Sequence, residues 1–139
     1  MSPIDKKSIW KEIEDVFLRY DDISLAYLYG SFLRHDNFND IDIAILVSKQ
    51  LSPYMLFKLQ MKIAGDIERQ ITPRCTCDVR VLNNAPVEFA YEVVKTGSIV
   101  FLQSESTRID YEADVITQYL DLKYLFDRVD SAFLAGVSE

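Results

Sequence analysis

The clearest pattern in the chain is the alternation Asp40-Ile41-Asp42-Ile43-Ala44-Ile45-Leu46-Val47. Side chains on a β-strand point to opposite faces with a period of two, so Ile41, Ile43, Ile45 and Val47 share one face and Asp40, Asp42, Ala44 and Leu46 the other. Thr76 to Leu82 repeats the design: Cys77, Val79 and Val81 form an apolar face, while Asp78 and Arg80 share the polar one. Ser24 to Tyr29 reads as a third strand, ended by Gly30-Ser31, where glycine lets the backbone turn tightly. Ser98 to Leu102 reads as a fourth.

Between these strands the period changes to that of a helix. Ile9, Ile13, Val16, Phe17 and Tyr20 predict an amphipathic helix that starts at Ser2-Pro3, as N-cap and first helical residue, and runs to about Tyr20. Pro53 opens a second helix to about Ile71, with Leu56, Leu59, Ile63 and Ile67 on its buried stripe and Thr72-Pro73 as the stop. Asn83-Asn84-Ala85 turns the chain, and Pro86 to about Thr96 reads as a third helix closed by Gly97 in the C′ position. From about Arg108 to Phe133 one long helix carries Val115, Tyr119, Leu122, Phe126, Val129 and Phe133 as a continuous seam. Ile109, Ile116, Leu120 and Tyr124 lie on a different side, which makes the apolar arc wider than docking on one sheet requires. Periodicity leaves two explanations open: a helix embedded in its own core, or one with a surface kept for a partner.

Composition narrows the function. The 139 residues are 49% hydrophobic and 27% charged, the usage of an ordinary globular domain, so residues 1–139 are expected to form a single domain. Fifteen Lys and Arg against twenty-two Asp and Glu give a net charge of −7. The resulting field repels phosphate backbones, which argues against direct nucleic-acid binding and against docking on anionic membranes. The apolar stretches fall far short of the ~20 residues a bilayer span needs. The N-terminus lacks the apolar region of a secretory signal, so a cytoplasmic protein is expected. Cys75 and Cys77 are too close on an extended segment for an unstrained disulfide, and with the single His35 they fall short of a zinc site.

The candidate chemistry is acidic. Asp40 and Asp42 project from one strand face, and Asp78 joins them if the two strands pair. Carboxylates gathered at one point repel unless a divalent cation neutralises them, and oxygen donors of this kind suit Mg²⁺, which also takes substrate phosphates. Two such ions would serve an in-line displacement at phosphorus. The backbone N–H groups and hydroxyl of Gly30-Ser31 can grip a terminal phosphate. Arg34 and Arg80 are further candidates for phosphate contact, although Arg80 can equally balance Asp78. Each element alone is common. Their order, with a strand, Gly30-Ser31, the Asp40-Ile41-Asp42 strand and then Asp78 in a third, is what points to nucleotidyl transfer.

In that order the chain resembles the minimal nucleotidyltransferases (MNT) of the DNA polymerase β superfamily. Tyr27-Leu28-Tyr29-Gly30-Ser31-Phe32-Leu33-Arg34 followed by Asn39-Asp40-Ile41-Asp42-Ile43-Ala44-Ile45-Leu46 is similar to the family's strand, GS, Arg and DxD sequence, and Asp78 sits where its third carboxylate is expected. Ala85-Pro86 through Gly97-Ser98-Ile99-Val100-Phe101 and Tyr119-Leu120-Asp121-Leu122 resemble later parts of the family. This chain has His35 where the family usually has glycine, and a shorter segment, Phe32 to Asn39, between the serine and the first aspartate. The resemblance implies an α/β nucleotidyltransferase fold, with a mixed sheet, helices packed on one face and a long C-terminal helix. It implies Asp40, Asp42 and Asp78 as catalytic and metal-binding residues, Gly30, Ser31, Arg34 and Arg80 as nucleotide contacts, Mg²⁺ as cofactor in two ions, and ATP as substrate. Many MNT proteins of this size are antitoxins that silence a HEPN-domain ribonuclease toxin by transferring AMP onto a toxin tyrosine. The partner implied is therefore such a toxin, held in a hetero-oligomer through the C-terminal helix. A silent antitoxin acting by binding alone and an enzyme acting on a small-molecule hydroxyl are the competing readings.

Overall fold

The four alternating segments pair into one sheet. The computed structural model describes residues 6–35 and 40–137, so the helix start expected at Ser2-Pro3 lies outside the described residues. In chain order the elements are α1 (Lys6–Phe17), β1 (Ile23–Tyr29), α2 (Ser31–Arg34), β2 (Asp40–Val47), α3 (Pro53–Gln70), β3 (Thr76–Val81), α4 (Val87–Thr96), β4 (Ser98–Leu102) and α5 (Glu105–Val137). The strand order is β3-β2-β1-β4. β1 runs antiparallel to β2 and to β4, and β2 runs parallel to β3, so the sheet is mixed as expected.

A core forms on each side of the sheet. On one face Ile41, Ile43, Ile45, Cys77 and Val79 pack under Ile9, Ile13 and Phe17 of α1 and Ile63 and Ile67 of α3. On the other, Leu25, Tyr27 and Ala44 pack under Ala90 and Val93 of α4 and Val115 of α5. The expectation of helices on one face is therefore corrected: α1 and α3 meet it, while α4 and α5 cover part of the opposite face. The physical reason lies in β2 itself. Its acidic face becomes apolar at Ala44 and Leu46, and that half needs a cover as much as the isoleucine face does. The half bearing Asp40 and Asp42 stays open to solvent.

Local signals explain the helix bounds. Ser52 caps α3 by accepting from the Met55 N–H at 3.2 Å, with Pro53 in the first turn. α5 starts at Glu105, earlier than the apolar seam alone suggests, because the Ser104 hydroxyl accepts from the Thr107 N–H at 3.2 Å. Gly97 closes α4 in an extended conformation (φ −80°) and not in the left-handed one expected of a C′ glycine. Glycine is needed there for space, since an added Cβ would stand 2.6 Å from the Val93 carbonyl oxygen.

The seam of α5 resolves the question that periodicity left open. Val115 is buried, and the Tyr119 ring stacks on Tyr91 of α4 at 3.7 Å. Beyond them Phe126, Val129 and Phe133 are 54%, 55% and 68% exposed, together with Leu120, Tyr124 and Leu125. A helix of 33 residues is roughly 50 Å long at 1.5 Å per residue, whereas the 10 residues of α4 offer it only about 15 Å of support. The far end of α5 thus projects past its own domain with its apolar seam uncovered. No helix among the described residues is long and apolar enough to cross a membrane.

One polar contact fastens α5 to the central strand. The hydroxyl of Tyr27, whose side chain is 1% exposed, donates to Glu112 Oε1 at 2.8 Å, and Arg108 donates to Glu112 Oε2 at 3.2 Å. Burial, then the neighbouring Glu112, holds the Tyr27 phenol protonated well beyond its ordinary range. Replacing Glu112→Ala leaves that hydroxyl buried without an acceptor and is expected to cost about 1–3 kcal/mol in a urea unfolding experiment. A variant within a few tenths of a kcal/mol of wild type, roughly the scatter of a neutral surface change, contradicts this account.

Candidate active site

The register of the sheet decides which acids meet. Tyr29 of β1 pairs with Asp42 of β2, and Asp42 pairs with Asp78 of β3. The open end of the sheet therefore presents a row running from the Gly30 turn through Asp42 to Asp78, with Asp40 two residues away on the same face, opposite Thr76. Adjacent strands lie about 4.8 Å apart, so the carboxylates of Asp42 and Asp78 are near neighbours. Asp40 and Asp78 are exposed and Asp42 is half-buried.

The turn at the head of this row is shaped around Asp42. Gly30 has φ +78° and ψ −151°, a region essentially reserved for glycine, where another residue costs about 1–3 kcal/mol. A Cβ on Gly30 would stand 2.5 Å from Asp42 Oδ2, so the missing side chain is the space the carboxylate uses. Ser31 Oγ lies 3.5 Å from the Asp40 carbonyl oxygen, linking the end of β1 to the start of β2. Lys6 donates to the carbonyls of Phe32 and His35 at 2.7 and 2.6 Å, which fixes α2 against α1. Arg34 is exposed at the end of α2 and makes no ion pair among the described residues.

Charge is unbalanced along the row. Burial raises the Asp42 carboxyl above the usual carboxylate range, the negative charges of Asp78 and Asp40 raise it further, and Arg80 only partly opposes them. Arg80 is bound elsewhere: its Nε donates to Asp78 Oδ2 at 3.3 Å, and its guanidinium sits 5.5 Å from the centre of the Phe89 ring. Tyr29 meets the same ring edge-on at 5.7 Å, and burial pushes its phenol pKa up to about 12. The donor set is hard oxygen with excess negative charge and fits a divalent cation such as Mg²⁺. Among the described residues no three His, Cys, Asp or Glu side chains already form a metal cage. The acids are neighbours in register, with Asp78 held by Arg80.

The structure brings Gly30, Asp42, Asp78 and Arg80 together, sets Asp40 and Ser31 beside them, and leaves Arg34 exposed at the end of α2. His35 is exposed, and its backbone closes α2, donating to the Ser31 carbonyl at 2.9 Å and accepting from Lys6 at 2.6 Å. Cys75 and Cys77 are free thiols, with burial raising the Cys77 pKa far out of reactive range. Sequence reasoning missed Phe89, the aromatic floor under Arg80. Its available signal was position: it stands in the first turn of the helix that follows the Asp78 strand.

Known proteins share the fold that carries these residues. The family described as "Polymerase beta, Nucleotidyltransferase" matches residues 11–106. Comparison with curated proteins gave no match. Among solved structures, the fold is shared with a chain from the complex of a tri-AMPylated Shewanella oneidensis HEPN toxin with MNT antitoxin, at TM-score 0.68 and 19% identity over 94% of this chain and 99% of that one. It is shared with a chain of the toxin–antitoxin MntA–HepT, at TM-score 0.66 and 19% identity over 92% and 98% of the two chains. A chain of a toxin–antitoxin structure with AMP-PNP matches at TM-score 0.66 and 20% identity over 94% and 99%. With the family match spanning well over half its length and the GS turn and acidic row in place, the chain belongs to the polymerase β nucleotidyltransferase family.

Proposed function

We propose that this chain is a Mg²⁺-dependent nucleotidyltransferase that serves as the antitoxin of a HEPN ribonuclease toxin and transfers AMP from ATP to a tyrosine of that toxin. The observation that carries the reading is the acidic row: Asp42 stands in register with Asp78 and against the space left by Gly30. Relatives with the same fold support the biology, since they include the antitoxin complex of a tri-AMPylated toxin and a complex with AMP-PNP. In this reading the protein works in the cytoplasm, beside its target.

The roles follow from position. Asp40 and Asp42 hold the cations, and Asp78 completes the set once it leaves Arg80. Bound there, two Mg²⁺ ions would neutralise the triphosphate and favour in-line displacement at the α-phosphorus. The backbone of Gly30 and the Ser31 hydroxyl hold the triphosphate, with Arg34 at the rim and Arg80 beside Asp78 as counter-charges. Asp78, the most distant carboxylate from the Gly30 turn, accepts the proton of the attacking hydroxyl. The uncovered end of α5 meets the toxin, because a projecting apolar seam in water is costly unless a partner buries it.

A binding-only antitoxin has one observation in its favour, the ion pair that occupies Asp78. Incubation with α-labelled ATP, Mg²⁺ and a HEPN-domain toxin separates the two. Wild type is expected to label the toxin, and Asp40→Asn with Asp42→Asn to lose roughly 100-fold or more of that rate. Toxin bound without label leaves the contact antitoxin standing.

The turn and the helix give two further tests. Gly30→Ala is expected to fold, at a cost of about 1–3 kcal/mol from a backbone conformation that favours glycine, because the Asp42 side chain can swing away. Transfer is expected to fall sharply, since the displaced carboxylate is the one in register with Asp78, and unchanged transfer would show that Asp42 is not used. Phe126→Asp puts a charge in the exposed seam of α5. It is expected to weaken toxin binding by about 2 kcal/mol, roughly 30-fold in Kd by calorimetry, while ATP binding is unaffected. Equal affinity for the two proteins would place the interface elsewhere.

A further inference from the structure

α3 carries a second apolar surface that no described residue covers. Its inward side, with Ile63 and Ile67, lies in the core, yet Tyr54, Phe57 and Met61, spaced three and four residues apart, form an exposed ridge on the outward side. Lys58 and Lys62 border that ridge, one over the Tyr54 ring and the other over Tyr20, and neither makes an ion pair among the described residues. From Pro53 to Lys62 the helix has these lysines and no acid, in a chain whose net charge is −7. A surface of this kind fits an apolar helix bordered by carboxylates.

We propose that the α3 ridge receives the projecting end of α5 from a second copy of this chain, in a two-fold dimer in which each copy gives its α5 and receives the other's. Past Tyr119, α5 has the matching chemistry: Phe126, Val129 and Phe133 are exposed along its seam, with Asp127 and Asp130 exposed beside them. Residues 120–137 run roughly 27 Å at 1.5 Å per residue, and so does the 18-residue α3. In antiparallel packing Lys58 comes opposite Asp130 and Lys62 opposite Asp127. The same register brings Met61 to Val129 and sets Tyr54 and Phe57 around Phe133.

Only a second copy satisfies both surfaces at once. α3 packs on one face of the sheet and α5 on the other, so a chain does not cover its own ridge. Reciprocal exchange about a two-fold axis closes the assembly and leaves neither surface over. The area is sufficient. Tyr54, Phe57, Phe126 and Phe133 each expose more than half of their surface, on the order of 100 Å² apiece, so the rings of both copies together hide roughly 800 Å². Met61, Val129 and the lysine stems bring the total to about 1,200 Å², where specific interfaces begin. In the proposed function the same seam of α5 meets the toxin, so the dimer is the form of the protein without toxin, and the toxin displaces the second copy. The dimer itself does not depend on nucleotidyl transfer.

Analytical ultracentrifugation of the full chain without toxin tests this. Wild type is expected to sediment as a dimer. Lys58→Glu with Lys62→Glu is expected to raise the dimer Kd about tenfold or more, and so is Asp127→Lys with Asp130→Lys, because each pair sets like charges face to face. All four side chains are exposed, so both variants are expected to keep the circular dichroism spectrum of wild type. Combining the four substitutions restores opposite charges and is expected to return the Kd to within about threefold of wild type, the signature of directly coupled residues. A wild-type monomer throughout the concentration range would overturn the proposal. So would an open series of larger species, a dimer that the charge reversals leave intact, or no recovery in the combined variant. A monomer whose binding to a HEPN-domain toxin is weakened by Lys58→Glu with Lys62→Glu would give the ridge to the toxin instead.

Discussion

The parallel pairing of β2 with β3, in the register that sets Asp42 opposite Asp78, is the constraint on which the rest depends. Like charges on neighbouring strands destabilise a sheet, and here a third carboxylate, Asp40, adds to them. The pairing is held by what surrounds it. Ile41 and Ile43 of β2 and Cys77 and Val79 of β3 are buried on the reverse face, so a slip of one residue would turn that apolar set to solvent. The core under α1 and α3 thus fixes the acids in a position that their own electrostatics oppose.

The second core gives the site its boundary. Ala44, Leu25 and Tyr27 draw α4 and α5 over the far half of the acidic face, and the cover stops short of Asp40, Asp42 and Asp78. Where α4 begins, Phe89 forms the floor beneath Arg80, so the same helix that seals the core also shapes the rim beside Asp78. α5 is fastened by Tyr27 and Glu112 and then runs beyond the domain. The acidic face therefore has an open polar end at Asp40 and Asp42, and the helix over its other half carries an uncovered apolar seam.

Much of this was legible in the sequence. The alternation of Asp40 to Val47 and of Thr76 to Leu82 identified both strands, the second to within one residue of its end at Val81, because period two is a direct consequence of backbone geometry. The order of Gly30, Asp42 and Asp78 was legible too, and the register brought them together. Helices on both faces were not foreseen, although Ala44 and Leu46 on the acidic face were the signal, since one strand's pattern does not say what lies above it. The pairing of Asp78 with Arg80 was readable as one of two roles for Arg80, and only the side-chain geometry showed the contact. For α5, periodicity gave the seam, while only the short length of α4 determined how much of it was covered.

The central claim is that the acidic row beside Gly30 is a metal-dependent nucleotide site. It is tested most directly by calorimetric titration of the protein with AMP-PNP, with and without Mg²⁺, in wild type and in Asp42→Asn. The account predicts binding that requires Mg²⁺ and that the substitution abolishes. Binding of equal strength without the cation, or in the variant, would contradict it.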